Sequence, residues 1–300
     1  MKIFSGTSNK PLAEKIAKDL SLKLSDLEVF TFPDGEKRIR ILDKVLDEDV
    51  VVVQSASTPV DENYMQLFFI IDALKRNGAK SITGVVPYFG YQRQDHQFRD
   101  GEDVSAKVIA GILDKIGLDK LIAVDLHAIK IKEAFNIPVA HLSALSVFAE
   151  NIKENGWDKN SATLVSPDMG GIRRIKILSE LLNNLPYAVI EKNRDLATGK
   201  VSADNLTGEI SKTAVIVDDM ISSGGTIALA ADLLKKKGAE KIVVFATHAV
   251  FSKDAPTILQ NSAVEKVYVT DTVFVPEEKR FPKLEILSVS EMIAENIKSA

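Results

Sequence analysis

Asp218 and Asp219 stand side by side in the stretch VIVDDMISSGGT at 215–226, just ahead of Ser222, Ser223, Gly224, Gly225 and Thr226. Adjacent carboxylates repel, so something must offset their charge. They can accept hydrogen bonds from vicinal hydroxyls, or hold a divalent cation through them. Backbone N–H groups of a glycine-rich turn at a helix start make a phosphate cradle. Gly224 and Gly225 let the backbone come close, and Ser222, Ser223 and Thr226 add hydroxyl donors. A sugar phosphate suits both halves of the pattern. The alternative is a plain N-cap turn, with Ser or Thr capping and Gly for geometry. No Lys follows the glycines, so this is not the Walker arrangement.

The elements around this stretch read as an α/β chain. Short runs rich in Val and Ile recur at 50–53, 81–89, 121–127, 162–166, 214–219 and 241–250. They do not alternate cleanly, as expected of strands buried on both faces of a parallel sheet. Amphipathic stretches separate them. In TIALAADLLKKKG, Ile227, Ala230, Leu233 and Leu234 share one face, Lys235 to Lys237 crowd the C-terminal end, and Gly238 supplies a stop.

An internal repeat runs through these elements. IDALKRNGAKSITGVVPYFGY at 71–91 aligns with ADLLKKKGAEKIVVFATHAVF at 231–251. At nearly the same offset, IFSGTSNKPLAEKI aligns with LVSPDMGGIRRIKI, and EVFTFPDGEKR with AVIEKNRDLAT. LDKLIAVDLHA resembles VEKVYVTDTVF at a slightly shorter offset. Four matches in one order predict two copies of one α/β domain, with the boundary near 143–156. The copies are not equivalent. Where the second has VIVDDMISSGGT, the first has VVVVQSASTPVDENY, with no acidic pair and no glycine.

Composition narrows the function classes. A net charge of −4 gives no basic face for nucleic acid. The chain has no cysteine, which removes disulfides, thiolate catalysis and cysteine metal sites. The N-terminus MKIFSGTSNK has no apolar core of signal-peptide length, and no run approaches a membrane span. A cytoplasmic protein with no membrane partner is expected.

At this point the residues carry a resemblance. VIVDDMISSGGT is similar to the phosphoribosyl-diphosphate loop shared by type I phosphoribosyltransferases and ribose-phosphate pyrophosphokinases. Two tandem copies with the loop in the second alone resemble the pyrophosphokinase family. The resemblance covers nearly the whole chain and rests on five separated motifs. It implies two tandem type I phosphoribosyltransferase-like domains, each a mainly parallel sheet flanked by helices. Residues 1–145 would carry the ATP-binding loops, and residues 146–300 the ribose 5-phosphate loop and a catalytic loop.

FPDGEKRIRI at 32–41 resembles the family's first ATP loop. Asp34-Gly35 is a hairpin signal. Phe32 offers a stacking face for adenine, and Asp34 and Glu36 offer acceptors for its amino group. YFGYQRQDHQF at 88–98 resembles the second ATP motif, with Arg93 for phosphate and Gln94 and Asp95 for the nucleotide. The family commonly has a basic residue after that Asp, and this chain has His96. In VDLHA at 124–128, a lone His reads as a hydrogen-bonded core residue, whereas the resemblance makes His127 a holder of the Mg²⁺ carried by ATP. VSPDMGGIRR at 165–174 is a strand, a small-residue turn and a helix start. Gly170 and Gly171 would admit a pyrophosphate, Asp168 would bind a cation or its waters, and Arg173 and Arg174 read as helix-surface charges. EKNRD at 191–195 resembles the mobile catalytic loop, with Lys192 and Arg194 as its cations and Arg194 also near the ribose 5-phosphate. By composition it is an exposed charged turn.

The resemblance implies ATP and ribose 5-phosphate as substrates, and a homo-oligomer of at least two copies in which a neighbour completes the ATP loop. Two rivals remain. An orotate- or purine-type phosphoribosyltransferase would use the same sugar site but leaves FPDGE and RQD unexplained. A regulatory relative without activity would not need every acidic and basic motif residue that this chain retains.

Overall fold

The structure is a computed structural model and describes residues 1–158, 162–194 and 201–299, with 192–194 and 201–204 as backbone alone. Two compact units divide the chain. One is Met1–Leu142 with Thr272–Phe274 and Ser288–Ala300, and the other is Ser143–Asp271 with Val275–Leu287. A tandem cut at 145/146 differs from this division in the tail, which returns to the first unit. There Ser55 Oγ donates to the Thr272 carbonyl at 2.6 Å, and Lys298 Nζ donates to the Asp19 carbonyl at 2.8 Å.

The first unit holds β1 (Lys2–Ser5), α1 (Lys10–Asp19), the hairpin β2 (Leu27–Thr31) and β3 (Lys37–Ile41), β4 (Asp49–Val53), α2 (Val60–Arg76), β5 (Ser81–Val85), α3 (Ser105–Ile116), β6 (Lys120–Val124) and β7 (Val139–Leu142). Its sheet runs β1-β4-β5-β6-β7, parallel throughout, and β2-β3 stands as a separate two-stranded sheet. The second unit holds α4 (Leu145–Glu154), β8 (Ala162–Ser166), α5 (Ile172–Leu181), β9 (Tyr187–Arg194), β10 (Val201–Thr207), β11 (Thr213–Ile221), α6 (Gly225–Lys236), β12 (Lys241–Ala249), α7 (Ala255–Asn261), β13 (Lys266–Thr270) and β14 (Leu284–Leu287). Its order is β10-β9-β8-β11-β12-β13-β14. The last helix, α8 (Ser290–Lys298), packs in the first unit.

The repeat is visible in these orders. β1-β4-β5-β6-β7 corresponds to β8-β11-β12-β13-β14, and the hairpin β2-β3 to β9-β10. In the second copy β9 joins the sheet beside β8, so its hairpin extends the sheet, whereas the first copy leaves its hairpin outside.

Burial explains the strand composition. Every residue of β8 is buried, as are four of five in β4 and eight of nine in β12. Such strands need apolar residues at successive positions, because both faces are covered. Each fully buried Val, Leu or Ile contributes roughly 1.5–3 kcal/mol. In α6, Ile227, Ala230, Ala231, Leu233 and Leu234 are buried, so the apolar face read from the sequence is the packed one. α4 occupies the stretch read as a boundary, because Phe148 packs at 5.3 Å against Phe245. Two strands stop earlier than their apolar runs. β5 ends at Val85, ahead of Pro87, and β6 at Val124, ahead of Asp125 with φ 37°. Proline has no N–H for the ladder, and a non-glycine residue at positive φ leaves the extended conformation.

The first copy has closed its own version of the second copy's turn. Sheet register places Gln54 where the second copy has Asp218. Gln54 Oε1 accepts from the Ser8 N–H at 3.2 Å and its hydroxyl at 2.8 Å. Gln66 Oε1 accepts from the Thr7 N–H at 2.7 Å and from Gln54 Nε2 at 2.9 Å. Two glutamine oxygens thus occupy the loop amides, and a Cβ on Gly6 would lie 2.1 Å from Gln54 Oε1. Gln66→Ala takes the acceptor from the Thr7 N–H and hydroxyl and one of the acceptors of Gln54 Nε2, and is expected to cost roughly 1–3 kcal/mol. A drop in the denaturant midpoint checks this, and an unchanged midpoint refutes it.

Candidate active site

The acidic pair lies inside β11, not at its end. Its pairing with β8 stops at Ile216↔Val165, while pairing with β12 continues to Ile221↔Ala249. Past Ile216 the strand is therefore open on its β8 side, and Asp218 and Asp219 sit there. This is the place where the chain winds outward in both directions, from β8 to β9 and from β11 to β12. Ligands of open α/β sheets bind at such switch points.

Asp219 is buried and Asp218 half-buried. Burial, and then the neighbouring Asp219 charge, push the Asp218 carboxyl well above the usual carboxylate range. Asp168 adds to the rise, and Arg174 opposes it. Arg174 Nη1 lies 3.5 Å from Asp218 Oδ1, and Nη2 lies 3.7 Å from Asp219 Oδ1. Reading Arg174 as a surface charge is thus overturned: the first turn of α5 points it at β11. Arg173 beside it is exposed. The missed signal was its position three residues beyond Gly171, on the face turned to the sheet.

The loop after the pair leads into a helix start with no side-chain cap. Gly224 is the N-cap of α6 at φ 79°, with no side chain capping the helix. Glycine is needed there, because a Cβ would meet Leu259 at 3.3 Å in a left-handed conformation. The first-turn N–H groups therefore have no capping side chain, which separates this turn from the Ser- or Thr-capped alternative. Ser223 is exposed, and Gly225 and Thr226 are half-buried. The Ser222 hydroxyl shares a hydrogen bond with that of Ser252 at 3.0 Å. In the turn after β8, Asp168 Oδ1 accepts from Gly171 N–H at 3.3 Å and so caps a short 3-10 turn.

Lys192 and Arg194 lie on the β9–β10 ladder, opposite Ala203 and Val201. Their side chains, and the remainder of the expected catalytic loop at 195–200, lie outside the described residues. Val201–Thr207, beyond 195–200, is strand β10. A hairpin strand at a sheet edge is held by ladder hydrogen bonds and needs no apolar run.

In the first unit the turn between β2 and β3 spans 32–36, longer than a two-residue hairpin. Phe32 N–H donates to the Glu36 carbonyl at 2.8 Å, and Gly35 sits at φ 93°. Asp34 Oδ1 accepts from Glu36 N–H at 3.2 Å, so one of its acceptor oxygens shapes the turn. Phe32 is 38% exposed. Phe30 meets it edge-on at 5.0 Å, and the Arg38 guanidinium lies over both rings at 5.1 and 6.0 Å. Arg38 went unnoticed in the sequence because only the pairing of β2 with β3 brings it opposite Phe30. Beside the turn, a cavity of about 540 Å³ is lined by Gly35, Glu36 and Lys37 and, from α2, Asp61, Glu62, Met65 and Phe69.

The second nucleotide motif is held mainly by its own groups. Arg93 is exposed. Gln94 Nε2 donates to the Asp103 carbonyl at 3.2 Å, and Asp95 Oδ1 is 2.7 Å from His96 Nδ1. His96 also contacts the Phe98 ring at 3.9 Å. Gln92 was not singled out, yet it is buried and its Oε1 accepts from the His127 N–H at 2.9 Å. His141 Nε2 accepts from Leu126 N–H at 3.0 Å. These two side chains fix the loop that leaves β6, and His127 is exposed on it, contrary to a core histidine.

Residues 1–117 match the N-terminal domain of ribose phosphate pyrophosphokinase, and residues 158–300 match the phosphoribosyl synthetase-associated domain. A ribose-phosphate pyrophosphokinase of Fusobacterium nucleatum is 41% identical over 298 residues, which is 99% of this chain and 94% of its own. Ribose-phosphate pyrophosphokinase 2 of Enterococcus faecalis is 40% identical over 299 residues, covering 99% and 92%. The crystal structure of phosphoribosylpyrophosphate synthetase from Mycobacterium smegmatis superposes with a TM-score of 0.92 at 34% identity, covering 99% of this chain and 97% of that one. Similarity of this extent, over nearly the whole chain, makes it a member of the ribose-phosphate pyrophosphokinase family.

Proposed function

We propose that the protein transfers the β,γ-diphosphoryl group of ATP to the anomeric hydroxyl of ribose 5-phosphate, releasing AMP. The observation that carries this reading is the acidic pair beside an uncapped glycine helix start at the switch point of the second unit. The carboxylates accept from the ribose hydroxyls, and the amides at 224–226 receive the 5-phosphate. The anomeric oxygen forms a bond to the β-phosphorus and loses its proton. The bond from that phosphorus to the α,β-bridging oxygen breaks, and AMP leaves with the electron pair. Such a transfer needs alignment and charge neutralisation more than covalent chemistry. Lys192 and Arg194 neutralise charge on the transferring group.

Mg²⁺ belongs to this reading. Among the described residues no three His, Cys, Asp or Glu side chains are grouped to hold a metal ion. That arrangement fits an ion brought on the phosphates of ATP, because Mg²⁺ keeps phosphate oxygens and waters and takes few protein ligands. His127 and Asp168 are the residues that would hold it or its waters. Bound Mg²⁺ would offset the phosphate charge. Among the described residues no helix is long and apolar enough to cross a membrane. A cytoplasmic location, and a homo-oligomer of at least two copies, belong to the same proposal. The exposed Phe30, Phe32, Met65 and Phe69 support a neighbouring copy near the ATP turn.

Incubation with ATP, Mg²⁺ and ribose 5-phosphate is expected to yield AMP and 5-phosphoribosyl 1-diphosphate, followed by chromatography. If AMP appears equally without ribose 5-phosphate, or not at all, the reading fails. Phe32→Ala is expected to raise the ATP Michaelis constant several-fold, since lost stacking is worth on the order of 1 kcal/mol. The ribose 5-phosphate constant should hardly move. An equal rise in both constants would end the assignment of the adenine to the first unit.

A further inference from the structure

Arg174 reaches both members of the acidic pair at once. Its side chain is 17% exposed, against 15% for Asp218 and 7% for Asp219. Its two nitrogens go to two different carboxylates at 3.5 and 3.7 Å. A tight Arg–carboxylate fork closes on one group at about 2.7–2.9 Å. The contact is therefore loose and divided. It offsets part of the repulsion between the carboxylates and leaves room for short hydrogen bonds from another donor. Gly171 keeps this arrangement possible, since a Cβ there would lie 2.3 Å from Ser166 Oγ and 3.4 Å from Arg174 Nη1. A half-buried ion pair of this kind is a poor source of stability, because desolvation offsets its attraction.

We infer that Arg174 is a positioning residue for the sugar site: it holds Asp218 and Asp219 side by side as one acceptor before the sugar arrives. Ribose hydroxyls then bind the carboxylate oxygens in the short positions that the guanidinium does not take. The inference rests on the proposed transfer from ATP to ribose 5-phosphate. It assigns Arg174 to sugar affinity and not to the transfer step.

Two substitutions separate charge from shape. Arg174→Gln removes the charge and keeps most of the length, and Arg174→Lys keeps the charge. Ribose 5-phosphate binding is read by calorimetry without ATP, and both Michaelis constants and turnover are read from AMP formation. Arg174→Gln is expected to weaken ribose 5-phosphate binding about tenfold or more, in line with loss of a charge-assisted arrangement. The ATP constant should stay within about twofold and turnover at saturation should fall far less than affinity, since a positioning residue acts through ground-state binding. Arg174→Lys should recover most of the loss, and Arg173→Gln should bind like the wild type. Unchanged sugar affinity in Arg174→Gln, or equal losses in the Gln and Lys variants, overturns the inference. Should Arg174→Gln fail to fold, Arg174→Met, of similar length and without charge, decides: a rise of about tenfold in the sugar constant alone supports the role, and no rise overturns it. Absence of AMP with the wild type would overturn the reading itself, and the inference with it.

Discussion

Asp218→Asn combined with Asp219→Asn is expected to abolish productive use of ribose 5-phosphate while leaving the fold intact. The pair sits where β11 has lost its β8 neighbour, and Asn at 218 keeps an acceptor oxygen for the Asp219 N–H that Asp218 Oδ1 accepts at 2.9 Å. Hydrogen bonds to a charged acceptor are worth about 1.5–3 kcal/mol each. Losing two carboxylates therefore lowers kcat/KM by roughly 10²–10⁴-fold. Stability should move the other way. Burial and the Asp219 charge hold the Asp218 carboxyl well above 3.8. Between that value and its folded value, the native state binds more protons than the unfolded one. Stability then falls as pH rises through the window, and the full cost is present above it. The variant should melt higher than the wild type at neutral pH, and the advantage should shrink toward acid. Turnover near that of the wild type would remove the pair from the sugar site. A lower melting point at neutral pH would mean that Arg174 over-compensates the repulsion.

Lys192→Ala is expected to lower turnover by ~10²–10⁴-fold, roughly 3–5 kcal/mol of lost transition-state stabilisation. The backbone at Lys192 is secured by its place on the β9–β10 ladder opposite Ala203, so the substitution should leave the melting temperature nearly unchanged. Ribose 5-phosphate binding should also hold, if the energy of the side chain is realised mainly once the site has closed over the phosphates. Arg194→Ala should behave similarly. The double variant should lose less than the product of the two single losses, because cations acting on one charge are not additive. Steady-state kinetics beside a thermal melt decide the matter, and turnover within about threefold of wild type would make Lys192 an ordinary hairpin lysine.

The repeated α/β domain, the inequality of its copies and the glycine helix start at 224–225 were all legible in the sequence, because each is local. A parallel strand buried on both faces must be apolar at successive positions, as in β8 and β12, and a glycine helix start must carry its glycines in order, as at 224 and 225. Short strands hid from such a reading. β7 and β14 are four-residue strands at sheet edges, where one ladder supplies much of the order and few apolar residues are required. The polar hairpin strand β10 hid for the same reason. What only the tertiary structure decided is which side chains meet across elements. Arg174 and Asp218 are 44 residues apart, and Gln92 and His127 are 35 apart. Gln66 closes the first copy's turn from 59 residues away. Nothing in the local sequence distinguishes such a residue from its solvated neighbours, and Arg173 and Arg174 are the same residue type side by side. The difference between them is the direction each takes from one turn of α5, and that direction is set by how the helix packs on the sheet.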